Sequence, residues 1–130
     1  MITKIGKSFE DKRGAIIDII TDINFDSLTR ITFNSGSVRG EHFHKDTIQY
    51  NYLLTGSLTY RTRTSNSGSI DEYILLPGDM IVSHPGQHHA FKATEYAELL
   101  CITAGPRKGF DYEKDTFRLS SDQKLFNDEY

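Results

Sequence analysis

The chain has a single cysteine, Cys101, only three prolines and no tryptophan among its 130 residues. One cysteine excludes an internal disulfide and points to a reducing compartment, so a cytoplasmic location is expected. Long apolar runs are also missing. None approaches the roughly 20 residues of a bilayer-spanning helix, and the opening Met1-Ile2-Thr3-Lys4 lacks the apolar stretch of a secretion signal. No membrane partner is expected. Positive charge is not in excess either. With 15 Lys and Arg against 18 Asp and Glu, the net charge is −3, and no broad cationic face is available to neutralise nucleic acid. The hydrophobic fraction of 37% and the chain length suit one hydrophobic core, so a single domain over 1–130 is expected.

No long segment repeats its apolar residues with the 3.6-residue period of a helix. Instead, short runs rich in Ile, Thr, Tyr, Val and Phe are separated by Gly, Asn, Asp, Ser or Pro. This predicts an all-β protein with strands at 15–20, 28–34, 40–44, 48–55, 58–64, 69–75, 79–83, 88–92 and 97–103. Turn chemistry falls between them at Thr55-Gly56-Ser57, Ser65-Asn66-Ser67-Gly68 and Pro77-Gly78-Asp79. Many short strands at this spacing indicate a sandwich or barrel. A charged C-terminal extension, 106–130, follows; it is expected to cap the barrel, pack on a second subunit or fray.

Three of the five histidines fall into a spaced pattern. His42 and His44 are two apart, so on a strand both imidazoles project from one face, the geometry of a chelate. Gln49 follows across the bend Lys45-Asp46-Thr47. A Pro-Gly turn, Pro85-Gly86, leads into a later strand carrying His89, which can bring a third imidazole to the same point. His88 then points away from the interior as a solvated or interface side chain. Arg61 and Arg63 read as solvated, and Cys101, within an apolar run, as a buried inert thiol. Three imidazoles suit a divalent transition metal, Zn, Fe, Ni, Mn or Cu, with Gln49 either a further ligand or a hydrogen-bonding neighbour.

Gly36-x5-His42-x-His44-x4-Gln49-x6-Gly56 resembles the first cupin motif in every spacing, with Gln where Glu is usual. Gly78-x5-His84-x-Gly86-x2-His89 resembles the second, and together the motifs cover about 28–103. The resemblance implies a single-domain cupin, a jelly-roll β-barrel, whose metal ligands would be His42, His44, Gln49 and His89. Glu10-Asp11-Lys12-Arg13-Gly14 and Arg39-Gly40-Glu41-His42 are similar to segments of the RmlC-like cupins of nucleotide-sugar and polysaccharide biosynthesis. His42-Phe43-His44-Lys45 with Gln49 is similar to the sugar-nucleotide 3,4-ketoisomerases, as is the tail from Phe110 to Phe117. These likenesses imply an isomerase or epimerase acting on a nucleotide-linked keto-sugar. His42 and His44 would move protons, and Arg39 would contact phosphate unless it serves a surface ion pair. Imidazole suits such chemistry because its ordinary pKa lies near neutrality without tuning. The position of the epimerases' tyrosine acid falls on Cys101, which argues against epimerisation. A metal-dependent dioxygenase-type cupin and a non-catalytic ligand-binding barrel are the alternatives. A homodimer is expected, since a small barrel gains by covering its exposed edges.

Overall fold

Strands with one apolar and one polar face bury the apolar face by stacking two sheets. The structure, a computed structural model describing residues 1–106 and 110–126, follows that rule. Its strands are β1 (Thr3–Lys4), β2 (Phe9–Asp11), β3 (Gly14–Ile16), β4 (Ser27–Phe33), β5 (Val38–Phe43) and β6 (Ile48–Thr55). Then come β7 (Leu58–Arg63), β8 (Asp71–Leu75), β9 (Asp79–Ser83), β10 (His88–Ala93) and β11 (Ala97–Ala104). A short helix α1 (Phe110–Lys114), β12 (Phe117–Arg118) and a 3-10 turn (Ser121–Gln123) end the described chain.

Two five-stranded sheets result, ordered β1-β9-β6-β11-β4 and β12-β5-β10-β7-β8, with β2 and β3 forming a separate hairpin. One apolar cluster joins them: Phe33, Leu53, Ile81 and Leu99 from the first sheet meet Leu58, Tyr60, Leu75 and Phe91 from the second. Each such fully buried large side chain contributes about 1.5–3 kcal/mol.

The all-β expectation is met, but the closed barrel is not what the ladders form. Among the described residues both sheets stay open, with edges at β1 and β4 in one and at β12 and β8 in the other. From β4 to β12 the chain switches sheet at every connection except β7 to β8, so hydrogen-bonded neighbours are mostly distant in sequence. The strand expected at 15–20 stops at Ile16, because its ladder partner β2 has only three residues; Ile16 and Ile17 are exposed. No helix or strand is predicted after Gly105, but of the roles expected for the tail, capping is the one its described residues take.

The tail caps the second sheet. Leu125 and Phe126 pack on the outer face of β10 against Ala90, with Val38 and Leu119 at the margin. Arg61 donates to the Leu125 carbonyl at 2.9 Å and its guanidinium lies 4.4 Å from the Phe126 ring centroid. Arg63 is buried and donates to His88 Nδ1 at 3.0 Å and to the Gln123 carbonyl. Neither arginine is the freely solvated group its strand position suggested. His88 does point away from the interior, yet it is buried, stacked on Phe43 beneath the tail.

Candidate functional site

Inward-facing positions change character along the sandwich. On the first sheet, the aligned row Leu53, Leu99 and Ile31 gives way to Asn51, Cys101 and Thr29, and then to Gln49, Thr103 and Ser27. On the second, Phe91 gives way to His89. Polar groups at buried positions need partners or a task. At this polar end lies a cavity of about 250 Å³, lined among others by Arg39, His42, Gln49, His89, Cys101 and Tyr112.

An irregularity in β5 sets which side chains reach it. His89 pairs with His42 and Ala90 with Gly40, so Glu41 is an extra residue bulged out of the ladder. Arg39 pairs with Phe91, an inward residue. Regular alternation would send Arg39 and His42, three apart, to opposite faces; the bulge brings both to the cavity. Gly40 has φ +96°, and a Cβ there would lie 2.8 Å from the His89 carbonyl oxygen. Glu41 is left-handed, φ 59°. It is held there by its buried carboxylate, which accepts from the Leu125 amide at 2.8 Å.

The three imidazoles converge. Ring centroids are 4.7 Å apart for His42 and His44, 4.7 Å for His42 and His89, and 5.3 Å for His44 and His89. One ring nitrogen from each lies within 4.8 Å of the others. His44 Nδ1 is 2.9 Å from the Asp115 carbonyl, while its buried Nε2 has no partner among the described residues. Behind His89, the Tyr60 ring stacks at 16° and its hydroxyl meets Ser83 Oγ at 2.8 Å; Asn51 Nδ2 donates to the same Ser83 oxygen at 3.2 Å.

His42 and His89 are tuned, contrary to the expectation of an ordinary pKa. Burial pushes His42 down to about 3, helped by the neighbouring His44 and by Arg118, against a smaller upward pull from Glu113. His89 lies well below its usual value, chiefly from burial and then from His42 and His44. Both are therefore neutral at neutral pH. Neutral imidazole is the form that accepts a proton or a metal ion, and an anion brought into the cavity raises its basicity.

Arg39 is exposed at the cavity mouth; its Nε donates to the Thr32 carbonyl at 3.2 Å and its guanidinium stands 5.5 Å from the Phe33 ring centroid. Gln49, buried on β6, lines the same cavity. Cys101 is buried on the cavity wall, 3.6 Å from Thr103 Oγ1. Arg13 lies elsewhere, closing the β2–β3 turn through an ion pair with Asp11 at 2.6 Å. Two residues were missed from the sequence. Tyr112 on α1 lines the cavity with its ring 5.4 Å from that of His44, and Asp115 follows one turn later. Their segment had been singled out, but no strand or motif spacing assigns the tail to this end of the sandwich.

The family model described as Cupin domain matches residues 29–103. No curated protein sequence matches the chain. Among solved structures, a sugar 3,4-ketoisomerase from Thermoanaerobacterium thermosaccharolyticum, a mutant in complex with TDP-4-keto-6-deoxyglucose, is 22% identical with a TM-score of 0.75. That alignment covers 99% of this chain and 91% of that one. A TDP-fucose-3,4-ketoisomerase from Campylobacter jejuni is 17% identical with a TM-score of 0.73, covering 90% and 87%. A dTDP-4-dehydrorhamnose 3,5-epimerase from Sulfolobus tokodaii is 18% identical with a TM-score of 0.72, covering 88% and 74%. The chain shares their fold.

Proposed function

The chain belongs to the cupin domain family, and from that premise we propose that it is a jelly-roll enzyme that isomerises or epimerises a nucleotide-linked keto-sugar through His42 and His44. The observation that carries this reading is the convergence of three imidazoles, His44 and His89 buried and His42 half-buried, beside a cavity that His42 and His89 line and whose mouth bears Arg39; His42 and His89 are held neutral. Beside a ketone, a neutral imidazole takes the proton of the neighbouring C–H. The C–H pair forms a C=C bond as the carbonyl pair moves onto its oxygen, giving an enediolate. In isomerisation the neighbouring hydroxyl proton passes to that oxygen and the imidazolium returns its proton to the former carbonyl carbon; in epimerisation the carbonyl re-forms and a proton returns to the opposite face of the first carbon. Two imidazoles at 4.7 Å allow removal at one carbon and return at the next. Ketoisomerisation is favoured over epimerisation, which needs an acid on the opposite side of the ring, where Cys101 stands.

Size supports the class of substrate. A cavity of about 250 Å³ is below the usual 300–1,000 Å³ of a drug-sized ligand pocket, so it takes a sugar ring and leaves a diphosphate outside, beside Arg39. The solved ketoisomerase with its bound TDP-sugar, which shares the fold, is consistent with such a ligand. Calorimetry with TDP tests the mouth: binding is expected in the native protein and weaker binding in Arg39→Ala. Absence of TDP binding to the native protein counts against the nucleotide.

A second reading rests on the orphaned His44 Nε2 and the three ring nitrogens within 4.8 Å. That donor set fits a divalent transition metal held by His42, His44 and His89, with Gln49 as a further oxygen. When bound, such an ion would supply Lewis-acid polarisation of a carbonyl or hydroxyl oxygen. The protein's own contribution is the same in either reading: it keeps His42 and His89 neutral and brings the three imidazoles together.

A further inference from the structure

The turn Lys45-Asp46-Thr47 joins β5 to β6 and separates His44 from Gln49, so its shape fixes the placement of one member of the imidazole cluster relative to a cavity-lining amide. It does not hold itself together. Three successive amides donate to the buried Asp115 carboxylate, Lys45 at 3.0 Å, Asp46 at 3.1 Å and Thr47 at 3.0 Å, and the Thr47 hydroxyl adds a fourth bond at 2.6 Å. Consecutive backbone amides curled around one anion form a nest, and charge-assisted bonds of this kind are about twice as strong as neutral ones. Burial works to raise the Asp115 pKa, yet the Thr47 hydroxyl and the turn amides outweigh it and hold the carboxyl ionised.

Asp115 acts on the His44 ring as well. A carbonyl oxygen only accepts, so the 2.9 Å contact requires a proton on Nδ1; of the two neutral tautomers only the Nδ1–H form makes it, with the lone pair on Nε2. That nitrogen is the orphaned one. The geometry points to Asp115 as a positioning residue: its carboxylate folds the Lys45–Thr47 turn while its main-chain oxygen fixes His44 in the Nδ1–H tautomer, with Nε2 as the working atom. The inference rests on the proposed function only in supposing that Nε2 works on a sugar; the tautomer and the turn stand apart from any substrate.

The test uses the full chain with nitrogen-15 histidine and long-range proton–nitrogen NMR, which separates the two neutral tautomers, together with kinetics on a TDP-linked keto-sugar. Native protein is expected to show a protonated Nδ1 and a bare Nε2 on His44. Asp115→Ala keeps the main-chain oxygen but releases the turn that holds His44 against it, so it should give mixed tautomers and a kcat lower by roughly 10- to 100-fold, with KM within about twofold. Asp115→Asn, which keeps the shape and one acceptor oxygen, should recover part of both. Should Asp115→Ala fail to fold, Thr47→Val, which removes one hydrogen bond at constant shape, is expected to shift the tautomer ratio in the same direction. A native His44 protonated on Nε2, or an unchanged tautomer in the folded variants, overturns the inference. The expected tautomer shift with no turnover in any protein upholds Asp115 and overturns the proposed substrate instead.

Discussion

Acidification should unfold this protein through its histidine cluster, and the size of the effect follows from His42. In the folded chain its pKa is pushed down to about 3, against about 6.5 when exposed in the unfolded chain. The unfolded state therefore binds the proton first, and stability is lost as pH falls below about 6.5, the loss ending only near pH 3. At pH 5 the difference is worth about 2 kcal/mol for this one group, at 1.36 kcal/mol per pKa unit. His89, depressed by burial and by the same neighbours, adds in the same direction, as does His88. The carboxyls of Asp11, Glu113 and Asp115 are all lowered, so their stabilisation is present above the ordinary carboxylate range and does not begin to fail until below about pH 5. Urea unfolding of the native chain and of His42→Gln at pH 7 and pH 5 isolates the contribution. The native chain should lose about 2 kcal/mol more between the two pH values than the variant does. Equal losses would refute a half-buried, depressed His42.

Gly40→Ala should cost about 2–5 kcal/mol, combining left-handed strain with a Cβ at 2.8 Å from the His89 carbonyl, and circular dichroism during urea unfolding reads it; a change under about 0.5 kcal/mol contradicts the close approach. Elemental analysis of native protein is expected to find a bound transition metal on the metal reading, most of it lost in folded His44→Ala and held more tightly in Gln49→Glu if that side chain coordinates. Native protein purified without chelator and free of metal leaves the imidazoles as proton shuttles. We further propose a homodimer, since edge strand β4 leaves Leu28 exposed and Ile74 on β8 is half exposed; light scattering showing a monomer at high micromolar concentration contradicts it.

Strand alternation was readable where one face is apolar. Ile48–Thr55 and Asp79–Ser83 have the bounds the sequence predicts: Pro77-Gly78 and Pro85-Gly86 flank the second, Gly56 ends the first, and the Lys45-Asp46-Thr47 bend precedes it. The convergence of His42, His44 and His89 was legible from motif spacing, since each sits on or beside a strand whose inward parity is fixed by apolar neighbours. What was not legible depends on contacts between distant segments. The Glu41 bulge, which turns Arg39 inward, is stabilised by amides some 84 residues away, and a local pattern cannot show such a partner. The same holds for Asp115, 71 residues from His44, and for Arg63 and His88, whose burial is created by a tail with no periodicity of its own. The depressed pKa values share that origin, since they follow from how deeply the sheets and tail enclose the rings.

Histidine-driven proton transfer on a nucleotide-linked keto-sugar is tested most directly by incubating the native protein with TDP-4-keto-6-deoxyglucose, the sugar bound in a ketoisomerase of this fold, in deuterium oxide. Proton NMR of the sugar follows the exchange. Solvent deuterium should enter at the carbon beside the ketone with native protein, and this incorporation should vanish in folded His42→Ala. No incorporation by the native protein, or equal incorporation by His42→Ala, would contradict the proposed chemistry.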